Sequence, residues 1–221
     1  MPRCLPRQSY INGSSLRKKL KLSFEGERGI DLAGISKQWF HEFSEQFSNP
    51  NYGYLKTTNK DTLYINPSIK DIYDPKDYKS WYRLFGRIIA MALYHKYNLS
   101  TTLCRTFYKS LLNLPFSLED LKDYDKILYK NLKELKAMDN VEDFYLNFTV
   151  TKSKFGINFD EELVPNGSDI ELTNENREEY IFLIVEKKLT QEVKIQIDAI
   201  KMGFNEVLPI DVLMEFGLNK G

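Results

Sequence analysis

Apolar side chains fall at two different periods along this chain, and the switches between them divide it into elements. Leu20-Lys21-Leu22-Ser23-Phe24 alternates apolar and polar, which predicts a half-buried strand. From Ile35 the spacing lengthens to Trp39, Phe40, Phe43 and Phe47, one face of a helix, and Asn49-Pro50 stops it because proline disfavours the helical conformation in its predecessor. Residues 52–57 and 62–66, separated by a polar turn at Asn59-Lys60-Asp61, predict a hairpin of two short strands. From about Asp77 to Tyr97, Trp81, Phe85, Ile88, Ile89, Ala92 and Leu93 form the widest apolar stripe of the chain and predict the helix that anchors the core. Arg87 lies inside that stripe, which points to a paired, buried guanidinium rather than a ligand clamp.

A shorter helix is expected from about Thr102 to Leu112, ended by Pro115. Ser117-Leu118-Glu119-Asp120 then reads as a helix cap, and Leu128, Leu132, Leu135 and Met138 recur on one helical face. Residues 144–150 and 158–163 predict strands leading to Asn166-Gly167, a strong tight-turn signal, and Thr173 or Asn174 offers an acceptor to the first amides of the next helix. That helix is expected to run unbroken from about Glu175 to Phe204, long enough to serve two subdomains. Pro209 suits the first position of a last helix, Ile210 to Phe216. The fold class is therefore α+β and mainly helical. An irregular lead-in of residues 1–15 precedes a larger helical part, about 16–116 and 183–221, interrupted by a smaller α+β subdomain at about 117–182.

Composition narrows the function classes. The chain has 221 residues, 42% hydrophobic and 28% charged, with 31 basic and 31 acidic side chains that cancel. That balance gives no global field favouring nucleic acid or an anionic membrane, and the Arg17-Lys18-Lys19 and Lys21 cluster reads as a solvated face. There is no apolar run of roughly 18 residues to span a membrane, and Met1 to Arg7 lack the apolar core of a secretory signal. These features place the protein inside the cell, in the cytoplasm or also the nucleus. Cys4 and Cys104 are expected as free thiols, and with His41 and His95 they show no metal-ligand spacing, so neither a metal nor a cofactor is expected. Cys104 reads as a small packing residue of its helix, His95 as structural and His41 as surface.

A series of short words in fixed order carries a resemblance over residues 16 to 216. Phe24-Glu25-Gly26-Glu27, Gly29-Ile30-Asp31 and Gln38-Trp39-Phe40 come first, with Ala33 where glycine is more usual. Asn49-Pro50-Asn51-Tyr52-Gly53, Tyr64-Ile65-Asn66-Pro67, Phe85-Gly86-Arg87-Ile88, Met91-Ala92-Leu93-Tyr94-His95 and Phe107-Tyr108-Lys109-Ser110-Leu111-Leu112 follow. Pro165-Asn166-Gly167-Ser168, Leu172-Thr173-Asn174-Glu175-Asn176-Arg177-Glu178-Glu179-Tyr180 and Gly203-Phe204 with Leu208-Pro209-Ile210 complete the series. In this order they resemble the N-terminal lobe of HECT-type ubiquitin ligases.

The resemblance implies a lobe that docks a ubiquitin-conjugating enzyme carrying ubiquitin as a thioester. The acceptor cysteine belongs to a separate C-lobe, preceded by Thr and followed by Phe-Asn; neither Thr102-Leu103-Cys104-Arg105 nor Cys4 matches, so this chain alone is expected to be inactive, with the hinge to the C-lobe after Gly221. Protein substrates would be read by regions outside the chain. Carried over by position, the docking groove comprises Leu128, Leu132, Leu135 and Met138 on a helix, Phe144 and Leu146 on a strand, and Tyr180 with Ile184 on the long helix. Periodicity alone makes the leucine stripe core; the resemblance makes the group a groove, with Leu135 or Ile184 able to face inward and Met138 standing where relatives often carry an aromatic. Some members bind a second ubiquitin through an aromatic near the position of Thr57, and no such site is assigned here. Two alternatives remain open: a stand-alone module that binds conjugating enzymes without catalysis, and a structural helical scaffold with the stripe buried. A charge at Leu132 separates core from groove, since a core site loses folding and a groove site loses binding.

Overall fold

Three aromatic residues from one helix start the core of the first of two units. A computed structural model describes residues 16–18, 32–154 and 156–218. The strand expected at Leu20–Phe24, the lead-in with Cys4, most of the basic cluster and the terminal Gly221 lie outside the described residues. Helix α1 (Leu32–Ser48) buries Phe40, Phe43 and Phe47. The Phe47 ring stacks on Phe85 with centroids 3.9 Å apart and on Tyr54 at 5.0 Å. Strands β1 (Leu55–Thr57) and β2 (Leu63–Ile65) pair antiparallel, Leu55 opposite Ile65, as the hairpin reading expects. They are shorter than expected because Pro50–Tyr52 is taken into a 3-10 turn that the Asn49 side chain caps.

Helix α2 (Pro75–His95) is the central element of this unit. Asp74 caps its start by accepting from the Lys76 amide at 2.8 Å, and Pro75 occupies its first position, where a missing N–H costs nothing. It buries Tyr82, Phe85, Ile88, Ile89, Met91 and Ala92, whereas Leu93, expected in the stripe, is exposed. A second correction concerns Cys104, which precedes helix α3 (Arg105–Leu111) instead of lying within a helix. Its amide donates to the Leu63 carbonyl at 3.0 Å, and the Leu63–Leu103 bridge extends the small sheet.

The chain splits by its internal contacts into two units. One contains the residues up to Thr57, Asp61–Asn113 and the residues from Lys194; the other contains Thr58–Lys60 and Leu114–Val193. The second unit opens with Ser117, whose amide donates to the Asp120 carboxylate at 2.8 Å around a 3-10 turn, Leu118–Asp120. Helix α4 (Leu121–Tyr124) is ended by the extended Asp125, whose carboxylate then caps helix α5 (Lys126–Ala137) through the Leu128 amide at 3.0 Å. Strands β3 (Thr149–Lys154) and β4 (Ile157–Glu162) form an antiparallel hairpin, and helix α6 (Arg177–Leu189) completes the unit. Lys187 of α6 holds the hairpin, donating to the Glu162 carbonyl at 3.1 Å and pairing with Glu161 at 3.2 Å. Lys152 of β3 also pairs with Glu161 and with Glu192.

The unbroken helix expected over 175–204 is two helices. α6 closes at Thr190, whose amide donates to the Glu186 carbonyl and whose hydroxyl bonds the Glu186 carboxylate at 3.1 Å. A 3-10 turn, Gln191–Val193, intervenes before helix α7 (Lys194–Val207). No proline or glycine marks the break; the Thr190 hydroxyl bonded to the Glu186 side chain accompanies it instead. The final helix, α8 (Ile210–Leu218), starts one residue after Pro209. No described helix is long and apolar enough to cross a membrane.

α7 packs on α2 at unusually close range, because both helices carry glycine at the contact. A Cβ on Gly86 would sit 2.0 Å from the Ile200 carbonyl oxygen, and one on Gly203 would sit 1.8 Å from that of Arg83. Beside this contact Arg83 and Arg87 of α2 both pair with Glu206 of α7, which supplies the partner that the position of Arg87 in its stripe requires. Gly203→Ala is accordingly expected to destabilise the protein by about 3 kcal/mol, because backbone and not a movable side chain blocks the added methyl. Urea unfolding checks this, as a lower midpoint at unchanged slope.

Candidate docking site

Helix α5 forms because its apolar residues fall on one stripe, and the stripe is largely buried within its own unit. Leu132 is 4% exposed, Leu135 is also buried and Leu128 is half-buried. Met138 departs from the expected helical face: it is the extended residue that ends α5 (φ −73°, ψ 143°), and it is half-buried. Tyr180 and Ile184 lie on α6 as expected, and both are buried. The Tyr180 ring meets Phe148 edge-on at 5.4 Å, and desolvation pushes its phenol above the usual range.

Phe144 and Leu146 are not on a strand. Glu142–Phe144 is a 3-10 turn closed by the Phe144 amide on the Val141 carbonyl, and regular pairing begins only at Thr149. Tyr145 between them adopts the left-handed conformation, φ 50°, uncommon for a bulky residue. The alternation Phe144, Leu146, Phe148 looks like a strand in sequence, but the Phe144 and Tyr145 amides bond locally to Val141 and Glu142, while Leu146 and Phe148 bond single positions between 163 and 172. The result is a run of exposed apolar side chains, with Phe144 at 52%, Tyr145 at 93% and Leu146 at 39% exposure.

The eight expected residues therefore divide by accessibility. Leu132, Leu135, Tyr180 and Ile184 are packed inside the unit, Leu128 and Met138 are intermediate, and Phe144 with Leu146 face solvent. Tyr145, the most exposed large apolar residue of the run, is absent from the expected set because a strand reading turns it to the opposite face. Its position between two expected contact residues was the available signal.

The Asn166-Gly167 turn differs as well. Only Asn166 has positive φ, at 58°, and Gly167–Asp169 is a 3-10 turn, so this is not the hairpin geometry the dipeptide suggests. Glycine is required there for another reason: a Cβ on Gly167 would lie 2.4 Å from the Phe148 carbonyl oxygen. Thr173 and Asn176 organise the start of α6 reciprocally, the Thr173 amide donating to the Asn176 side chain at 2.8 Å and the Asn176 amide to the Thr173 hydroxyl at 3.4 Å.

Cys104 is buried, and desolvation raises its thiol above the usual range despite hydrogen bonds from Phe107 and Thr106 that lower it. Such a thiol is a poor source of thiolate at neutral pH. His41 is exposed, with Nδ1 hydrogen-bonded to the Ser100 hydroxyl and Nε2 3.4 Å from the Glu45 carboxylate, and His95 lies 3.3 Å from the Leu16 carbonyl.

These placements predict opposite stability effects. Phe144→Ala and Tyr145→Asn should change stability by no more than about 0.5 kcal/mol, asparagine tolerating the left-handed backbone. Leu132→Glu should cost about 3 kcal/mol or more, because it buries an unpaired charge. Thermal melts of the three variants read the contrast.

Residues 41–219 match the family model described as HECT-domain (ubiquitin-transferase). The chain is 33% identical over 207 residues to the human E3 ubiquitin-protein ligase NEDD4, covering 93% of this chain and 16% of that protein. It is 35% identical over 207 residues to the E3 ubiquitin-protein ligase RSP5 of Emericella nidulans, covering 93% of this chain and 25% of the relative. The Drosophila melanogaster E3 ubiquitin-protein ligase Nedd-4 is 32% identical over 201 residues, 91% of this chain and 20% of its own length. The chain thus spans a quarter or less of these curated relatives. With the family model matched over most of its length, the chain belongs to the HECT-domain family of ubiquitin transferases.

Proposed function

We propose that this chain is the N-lobe of a HECT-type ubiquitin ligase and that its second unit docks a ubiquitin-conjugating enzyme. The observation that carries the reading is the run Phe144-Tyr145-Leu146, three large apolar side chains exposed together on a loop of a family member. A few apolar or aromatic anchors with a polar surround are the usual energetic centre of a protein interface. In this reading Leu132, Leu135, Tyr180 and Ile184 form the packed floor that supports the surface, and Leu128 and Met138 border it. Recognition falls to Phe144, Tyr145 and Leu146.

The chemistry follows from thioester exchange. A cysteine thiolate on the ligase's C-lobe attacks the thioester carbonyl of ubiquitin, and the thiolate of the conjugating enzyme leaves. A substrate lysine amine then attacks the new thioester and releases the ligase thiolate. The chain described here contributes the docking step and takes no part in the covalent ones. Support for that division comes from Cys104, whose burial and raised thiol make it unsuited to accept ubiquitin.

Titration calorimetry of the 221-residue chain against a panel of ubiquitin-conjugating enzymes tests the reading. At least one member should bind saturably, and Phe144→Ala and Tyr145→Asn should each weaken it by more than about 1 kcal/mol without loss of folding. Binding to no member, or binding indifferent to both substitutions, sinks the docking reading. A reducible ubiquitin adduct on Cys104 would overturn the assignment of this chain to docking alone.

A further inference from the structure

The segment Thr173-Asn174-Glu175-Asn176-Arg177 is part of the resemblance, yet the proposed function leaves it without a role. Two of its side chains, Asn174 and Arg177, bond the loop that carries Phe144, Tyr145 and Leu146. The Arg177 guanidinium donates to the Met138 carbonyl and, at 3.4 Å, to the Leu135 carbonyl. The Asn174 side-chain amide donates to the Asp139 carbonyl at 3.1 Å, and its backbone amide donates to the Glu142 carboxylate at 3.0 Å. At the far end of the same loop the Leu172 amide donates to the Leu146 carbonyl at 2.8 Å.

Arg177 stands in a position that helix electrostatics alone would not choose. It is the first residue of α6, where the exposed amides concentrate positive charge and acids are favoured, as Glu178 and Glu179 beside it are. The same guanidinium reaches the C-terminal end of α5, where unpaired carbonyls concentrate negative charge and a cation is favoured. One side chain therefore bridges the start of one helix and the end of another. A local rule broken at one place and satisfied at a second, tertiary one marks a residue selected for position. Tyr145 gives an independent sign of restraint, because a bulky residue stays left-handed only where its surroundings hold it there.

We infer that Asn174 and Arg177 are positioning residues for partner docking: they clamp the loop from Met138 to Leu146 so that Phe144 and Tyr145 meet a ubiquitin-conjugating enzyme already ordered. This rests on the docking reading above. The clamp lowers the conformational entropy lost on binding and makes no direct contact with the partner. Loss of the clamp should weaken binding without unfolding the unit, since the β3–β4 hairpin is held separately by Lys187 and Lys152.

The full chain carrying Arg177→Ala, Arg177→Lys or Asn174→Ala is titrated calorimetrically with a conjugating enzyme that binds the parent, and amide hydrogen exchange is followed in the free proteins. Arg177→Ala should bind about tenfold more weakly, with a more unfavourable entropy and faster exchange confined to residues 139–146. Exchange across 149–162 should be unchanged, and Arg177→Lys should restore part of the affinity. Parent-like affinity in Arg177→Ala and Asn174→Ala, with Phe144→Ala impaired, overturns the clamp and leaves docking intact. Parent-like affinity in all of them removes the docking surface and the clamp with it. Should Arg177→Ala not fold, Asn174→Ala and Glu142→Ala, which each delete one loop bond, decide by the same two readouts.

Discussion

The close approach of α2 and α7 is the contact on which the first unit depends. Two helices can bring their backbones this near only where side chains are absent, and Gly86 and Gly203 clear the contact from both sides. Closeness has a second effect, since it places Arg83 and Arg87 within reach of a single carboxylate, Glu206. A half-buried acid with two guanidinium partners is well compensated. Ile200 and Phe204, fully buried on the same helix, complete the apolar side of the contact.

In the second unit, tertiary polar bonds rather than regular pairing shape the surface that matters. A carboxylate, an amide and a guanidinium hold the stretch from Met138 to Leu146, in which the regular bonding is the single 3-10 turn Glu142–Phe144. Directional bonds of this kind favour one loop geometry, because each is made only where donor and acceptor meet. On the docking reading this is how a loop can display aromatic residues to solvent without collapsing onto its own core.

The helices with wide apolar stripes were readable from spacing alone: α1, α2 and α5 lie where Phe40, Phe85 and Leu132 recur with their helical neighbours. What escaped the sequence depended on partners far along the chain. Nothing near Phe144 announces that Asn174 will bond Glu142 and Asp139, so the local alternation pointed to a strand. Asn166-Gly167 suggests a hairpin turn because dihedral preference is local, whereas its glycine answers to Phe148 nineteen positions earlier. The break at Thr190 arises from a side-chain bond too weak to outvote a continuous helical pattern in sequence. Periodicity alone read the leucine stripe as core, which is where Leu132 and Leu135 lie, while the exposed Phe144 and Leu146 belong to a loop bonded to residues far along the chain.

The first unit is discontinuous, and this bears on the order in which a nascent chain can mature. α2 and its partner α7 are separated on the ribosome by nearly the whole second unit, with Arg87 and Glu206 119 positions apart. At ordinary elongation rates α2 would wait roughly 5 to 20 seconds for α7 to emerge. Throughout that interval the strip around Gly86, Ile88 and Ile89 has no helix to cover it, while residues 114–193 emerge as a nearly continuous block that can condense in turn. Newly made protein would thus carry a finished second unit while the first is still incomplete, and an apolar strip of this kind is what holdase chaperones recognise.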